Sequence, residues 1–158
     1  MNDKTLLLFD FDGTLADNSE GIFASIAYAV TKMGLPVPEG DVLRTFIGPS
    51  LFDSYLRVYG GTPDEAQRFV SLYREFFQPK GSKMAVLYPR MPELLSRLQK
   101  DGYTLAFCSS KPYAFVTGIS EALGIRDFFA ACFAPGFSSS ASDKTGFILF
   151  LFGQGSEP

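Results

Sequence analysis

The chain has no histidine among its 158 residues. A Ser-His-Asp triad, a Cys-His pair and an imidazole metal ligand are therefore excluded. Cysteine is nearly absent as well: Cys108 and Cys132 cannot build a zinc site without histidine. Each lies in an apolar run, Leu105 to Cys108 and Ala130 to Phe133, and reads as a buried, reduced thiol. Positive charge is in deficit, with Lys+Arg 14 against Asp+Glu 17 and a formal net charge of -3. That balance excludes a general nucleic-acid binder, although a local basic pocket for one small phosphate stays open. Long hydrophobic runs are missing; Phe147 to Phe152 is far too short to cross a bilayer. The start, Met1-Asn2-Asp3-Lys4-Thr5, lacks the basic and apolar regions of a signal peptide, so a cytoplasmic protein is expected. Hydrophobic residues at 46% and charged residues at 20% exclude disorder. This length fits one domain, or a core with one small inserted module, and a chain of this size buries roughly 68–70% of its unfolded surface.

Thr5-Leu6-Leu7-Leu8-Phe9 is a continuous apolar run, which predicts a strand covered on both faces. It stops abruptly at Asp10-Phe11-Asp12-Gly13-Thr14-Leu15. Ile22, Ile26, Val30 and Met33 then mark a helix closed by Gly34 and Pro36, and Asp41 to Phe46 reads as a further short one. Leu51, Tyr55, Leu56 and Tyr59 form another helical stripe, ended by Gly60-Gly61. Thr62-Pro63-Asp64-Glu65 is a strong helix start, with Thr62 as cap and Glu65 completing a capping box. The helix it opens turns Ala66, Phe69, Tyr73, Phe76 and Phe77 inward. After Pro89 the rhythm becomes helix and strand in alternation: Met91 to Leu98 helical, Tyr103 to Cys108 a buried strand, Phe115 to Leu123 helical, Ala130 to Ala134 a third strand. The pattern predicts a parallel α/β core, residues 1–15 and 86–158, interrupted by a helical insert, residues 16–85.

Ligands of open parallel sheets sit beyond the carboxyl ends of the strands. Three polar clusters fall there: Asp10 with Asp12, Ser109 with Ser110, and Lys144 after the third strand. Paired carboxylates suit Mg²⁺, a hard cation that takes one or two carboxylates plus substrate phosphate. A carboxylate can also act as a nucleophile and become an aspartyl-phosphate. Ser109 offers a hydroxyl and nearby backbone N–H groups to a phosphate, or caps the following helix. Lys144 reads either as neutralising charge on a transferring phosphoryl group or as an ordinary solvated lysine. Lys111 is its fallback, although its place before Pro112 reads as part of a helix start.

Asp10-Phe11-Asp12-Gly13-Thr14-Leu15, followed by Tyr88-Pro89, Leu94-Leu95 and Ser109-Ser110-Lys111-Pro112, resembles the haloacid dehalogenase superfamily. The resemblance is closest to the subgroup like phosphoglycolate phosphatase, which inserts a helical cap between the first motif and the second strand. It implies a Rossmann-like parallel-sheet core and a phosphatase acting on a small phosphorylated metabolite. Asp10 then resembles the nucleophile, and Asp12 the acid/base that the dehalogenase branch lacks. Ser109 resembles the second-motif hydroxyl, and Lys144 the third-motif lysine. Ser110, Lys144, Arg44 and Gly48 match substrate-facing positions. Mg²⁺ is implied on the Asp10 carboxylate and the Asp12 main-chain carbonyl.

The fourth motif of that family, Gly-Asp with a further acid, has no match after Lys144. The C-terminal strands are therefore expected to be missing, which leaves the first strand as an open edge and allows self-association through it. The expected activity is hydrolysis of 2-phosphoglycolate or a nucleotide. A phosphomutase, or a catalytically impaired phosphate- or partner-binding protein, is the alternative. No membrane or nucleic-acid partner is expected.

Overall fold

In the computed structural model, residues 5–136 are described, together with Lys144, Gly146 and Ile148. In chain order the elements are β1 (Leu6–Phe9), β2 (Ala16–Asp17), α1 (Ser19–Lys32), α2 (Gly40–Arg44), α3 (Leu51–Tyr59), α4 (Pro63–Phe77), β3 (Val86–Leu87), α5 (Met91–Lys100), β4 (Thr104–Cys108), α6 (Tyr113–Ala122) and β5 (Ala131–Phe133). Short 3₁₀ turns occupy Gly81–Met84 and Arg126–Phe128. The chain divides into two compact units, Met1–Ala16 with Leu87–Pro158, and Asp17–Val86.

The first unit is α/β. Its parallel sheet has the order β1-β4-β5, with Leu6 opposite Thr104, Phe9 opposite Phe107, and Phe107 opposite Cys132. The central strand β4 earns its place by composition, because Leu105, Ala106 and Phe107 are apolar and almost fully buried. Phe107 stacks on Phe129 with centroids 3.7 Å apart and meets Phe11 edge-on at 5.8 Å. Leu95 of α5 and Phe115, Val116 and Ile119 of α6 complete this core.

β1 departs from the expectation of cover on both faces. Leu6 and Leu8 are 39% and 36% exposed. Among the described residues β1 pairs with β4 alone, and strand pleating sends alternate side chains to opposite faces, so these two leucines face away from the rest of the described unit. Cys132 likewise is only half-buried, where burial was expected. Arg90, before α5, holds φ 63°, a left-handed conformation that costs an L-residue about 1–2 kcal/mol. The apolar run after residue 146 lies outside the described residues except for Ile148, whose N–H donates to the Lys144 carbonyl at 3.1 Å in a helical turn.

The second unit is helical and built on aromatic packing. Tyr55 stacks on Phe69, and Tyr73 on Phe77, each with centroids 5.2 Å apart. The capping box of α4 forms as its sequence demands: Glu65 N–H donates to Thr62 Oγ1 at 3.3 Å, and Thr62 N–H donates to Glu65 Oε2 at 2.7 Å. Helices α1 and α4 are joined by Tyr28 and Lys32, which donate to Glu75 Oε1 at 2.5 and 2.8 Å. Ion pairing with Glu75 and the Tyr28 contact raise the Lys32 ammonium, and Lys32 and Tyr28 in turn lower the Glu75 carboxyl. Gly21 lets α1 approach the turn at Gly81; a Cβ on Gly21 would stand 2.1 Å from the Gly81 carbonyl oxygen.

That approach makes a paired test. Gly21→Ala should destabilise by about 1–3 kcal/mol, because the obstruction is main chain. Gly118→Ala, in α6 with nothing within 4 Å of a new Cβ, should stabilise by about 0.5–1 kcal/mol. Urea denaturation of both variants measures the two shifts, which should have opposite signs.

Candidate functional site

The candidate site lies in the first unit, at the carboxyl ends of β1 and β4. After β1 the chain buries Phe11 completely against Phe107. The Phe11 carbonyl accepts the N–H of Leu15 at 3.1 Å, and Gly13 N–H donates to the Ala16 carbonyl at 3.0 Å. Gly13 has φ 78° with open space about it, so backbone conformation rather than crowding calls for glycine. This turn pins Phe11 and sets Asp10 and Asp12 on either side of it.

At the end of β4, Ser109 is 2% exposed, and its N–H donates to the Phe133 carbonyl at 3.0 Å. Its Oγ accepts the Lys111 N–H at 3.1 Å. Ser109 therefore closes a turn ahead of α6 and does not cap the helix, whose N-cap is Pro112. Ser110 beside it is half-buried.

Each aspartate meets its own lysine. Lys144 Nζ stands 2.7 Å from Asp10 Oδ1, in a pair whose side chains are 32% and 39% exposed. Lys111 Nζ bridges both oxygens of Asp12, at 3.0 Å from Oδ1 and 2.9 Å from Oδ2. That second pair is far more enclosed, with side chains 7% and 14% exposed. The Cys108 thiol is pushed up by burial, pulled down by Lys144 and raised again by Asp10, which sets the end of β4 within the field of the Asp10–Lys144 pair.

Sequence reasoning reached Asp10, Asp12, Ser109 and Lys144 but left Lys111 as a fallback for Lys144. Both lysines are engaged, with different acids. The signal lay in the strands: β1 and β4 run parallel, so the turns that leave them, one carrying Asp12 and the other Lys111, lie at the same end of the sheet. Arg44 and Gly48 lie in the Asp17–Val86 unit, both exposed. There the hydroxyl and N–H of Ser19, with a smaller contribution from the Arg44 charge, hold the Asp17 carboxyl below its ordinary value.

The donors suit a hard divalent cation of the Mg²⁺ type. Asp10 offers a partly exposed carboxylate and Asp12 a main-chain carbonyl, oxygen ligands of the kind Mg²⁺ accepts while keeping waters and substrate phosphate in its shell. Among the described residues no group of three or more Asp, Glu, Cys or His gathers to form an all-protein cage.

Residues 7–134 match the family model of haloacid dehalogenase-like hydrolases. A 5'-nucleotidase of Pseudomonas aeruginosa is 33% identical over 92% of this chain and 66% of its own length. A phosphoglycolate phosphatase of Vibrio vulnificus is 33% identical over 78% of this chain and 58% of its own. The chain thus spans less than two thirds of these curated relatives. The solved structure of a predicted phosphatase from Clostridium acetobutylicum superposes with a TM-score of 0.88 at 31% identity, covering 95% of this chain and 69% of that one.

Burial pushes the Cys132 thiol up to about 11, with Arg126 lowering it and Cys108 raising it by smaller amounts. A raised thiol in the folded state contributes stability that is full below the ordinary value of 9.0 and is lost as pH rises through about 11. At pH 9, Cys132 should react with iodoacetamide roughly fifty-fold more slowly than an unfolded-state cysteine, because the thiolate is the reactive form. Mass spectrometry of the alkylated peptide with and without urea measures the ratio.

Proposed function

The chain belongs to the haloacid dehalogenase-like hydrolase family, and on that premise we propose that it is a phosphatase releasing inorganic phosphate from a small phosphomonoester. The observation that carries the reading is the pair of aspartates flanking buried Phe11, each met by a separate lysine. The names of the relatives favour 2-phosphoglycolate or a nucleoside monophosphate as substrate.

In this mechanism the Asp10 carboxylate attacks phosphorus and becomes an aspartyl-phosphate. Asp12 gives its proton to the departing alkoxide oxygen, then takes one from the water that opens the acyl-phosphate. Ser109, through its hydroxyl and the turn it closes, and Lys144, through its charge beside Asp10, would receive the phosphoryl oxygens. Mg²⁺, held by the Asp10 carboxylate and the Asp12 carbonyl, would supply charge neutralisation for the phosphate. Arg44 and Gly48 are proposed to contact the part of the substrate that leaves. A cytoplasmic location forms part of this reading, supported by two unbridged cysteines. No described helix is long and apolar enough to cross a membrane.

Phosphate release from 2-phosphoglycolate and from nucleoside monophosphates tests the reading. Asp10→Asn should reduce release to background, Asp12→Ala should reduce it about 10²–10⁴-fold, and chelation of Mg²⁺ should abolish it. Wild-type rates in Asp10→Asn would remove the covalent step, and an isomerised sugar phosphate in place of free phosphate would mark a phosphomutase. The proposal extends to self-association through β1, whose exposed Leu6 and Leu8 offer an apolar strand edge. Sedimentation velocity should then show concentration-dependent dimers that Leu6→Lys weakens.

A further inference from the structure

We propose that Lys111 is a positioning residue for Asp12: by bridging both of its oxygens it fixes the rotation of the carboxyl group that serves the leaving group. The inference rests on the phosphatase reading of the site and deepens it. Lys111 Nζ lies 3.0 and 2.9 Å from the two oxygens of Asp12, in a pair almost closed to solvent. The main chain of Asp12 is already fixed by the turn in which Gly13 N–H reaches the Ala16 carbonyl and Leu15 N–H reaches that of Phe11. What the turn leaves undetermined is the rotation of the Asp12 side chain, and a bridging ammonium removes that freedom.

Lys111 is itself held from behind. Its N–H donates to the Oγ of nearly buried Ser109, and Pro112 restricts the backbone of the residue that precedes it. Ser109 thereby acts on both sides of the site, through its hydroxyl and through the lysine it anchors. Lys144 is committed to Asp10, so the two lysines have separate tasks. Proton transfer needs the carboxylate within about 2.6–3.2 Å of the leaving oxygen, and a misplacement of about 1 Å can cost on the order of 10²-fold in rate. Positioning of this kind matters most when the leaving oxygen is a poor leaving group and requires the proton.

The test compares Lys111→Met with the wild type on p-nitrophenyl phosphate, whose leaving group departs without a proton, and on an alkyl phosphate, whose leaving group does not. We expect kcat on the alkyl ester to fall about 10–100-fold with KM little changed, p-nitrophenyl phosphate to be affected far less, and Lys111→Arg to restore part of the loss. In an Asp12→Asn background the Lys111→Met substitution should add nothing. Equal losses on both esters, or full additivity with Asp12→Asn, would overturn the proposal. Crystal structures of wild type and Lys111→Met provide a reading independent of turnover. A single Asp12 side-chain orientation in the wild type that becomes multiple or shifted in the variant supports positioning, and an unchanged orientation refutes it. Lys111→Gln replaces Lys111→Met if the latter does not fold. A wild-type chain that releases no phosphate from either ester sinks the phosphatase reading, while the crystallographic comparison still decides whether Lys111 sets Asp12.

Discussion

The parallel pairing of β1 with β4 is the constraint on which the candidate site depends. It sets Leu6 against Thr104 and Phe9 against Phe107, segments far apart in the chain. Because the strands run the same way, both end on the same side of the sheet, and the turn leaving β1 meets the turn leaving β4. A slip of one residue would turn every side chain of one strand to the opposite face, taking Phe107 out of its stack on Phe129. The same slip would shift the turn that carries Lys111 against the turn that carries Asp12. Core packing and site assembly are thus set by one register.

The two ion pairs differ in what surrounds them. Lys111 and Asp12 are enclosed, so solvent does little to screen either charge, and the pair is strongly interdependent. Lys144 and Asp10 remain about one third exposed, in a setting where solvent screens the attraction. The Asp10–Lys144 pair is thus the looser of the two and the Asp12–Lys111 pair the tighter. Among the described residues of the site, two ammonium groups stand against two carboxylates.

Much of this was legible in the order of residues. The abrupt change from Leu6-Leu7-Leu8-Phe9 to Asp10-Phe11-Asp12-Gly13 marks a strand end with its acids, and Thr62 with Glu65 announces α4 before any packing is known. Three features were not. The engagement of Lys111 with Asp12 depends on register between distant strands, while its neighbour Pro112 gives a local signal for a helix start. β2 and β3 are two residues each, too short for any periodicity to show. The exposure of Leu6 and Leu8 reflects which strands flank β1, and an apolar run carries no information about its neighbours. What sequence conveys well is local chemistry at element ends; what it conveys poorly is pairing across the chain.

The two short strands have one more consequence. β2 and β3 pair with each other where the chain departs from the α/β unit and where it comes back, and Tyr88 N–H donates to the Leu15 carbonyl at 3.3 Å beside them. Departure and return are therefore neighbours, a doorway whose width does not depend on how much chain lies beyond it. Loop-closure entropy grows only with the logarithm of loop length, so a longer or shorter helical segment changes this cost little. Such a doorway makes the helical unit exchangeable: evolution, or an engineer, can replace its contents without disturbing the register that assembles the aspartates and lysines.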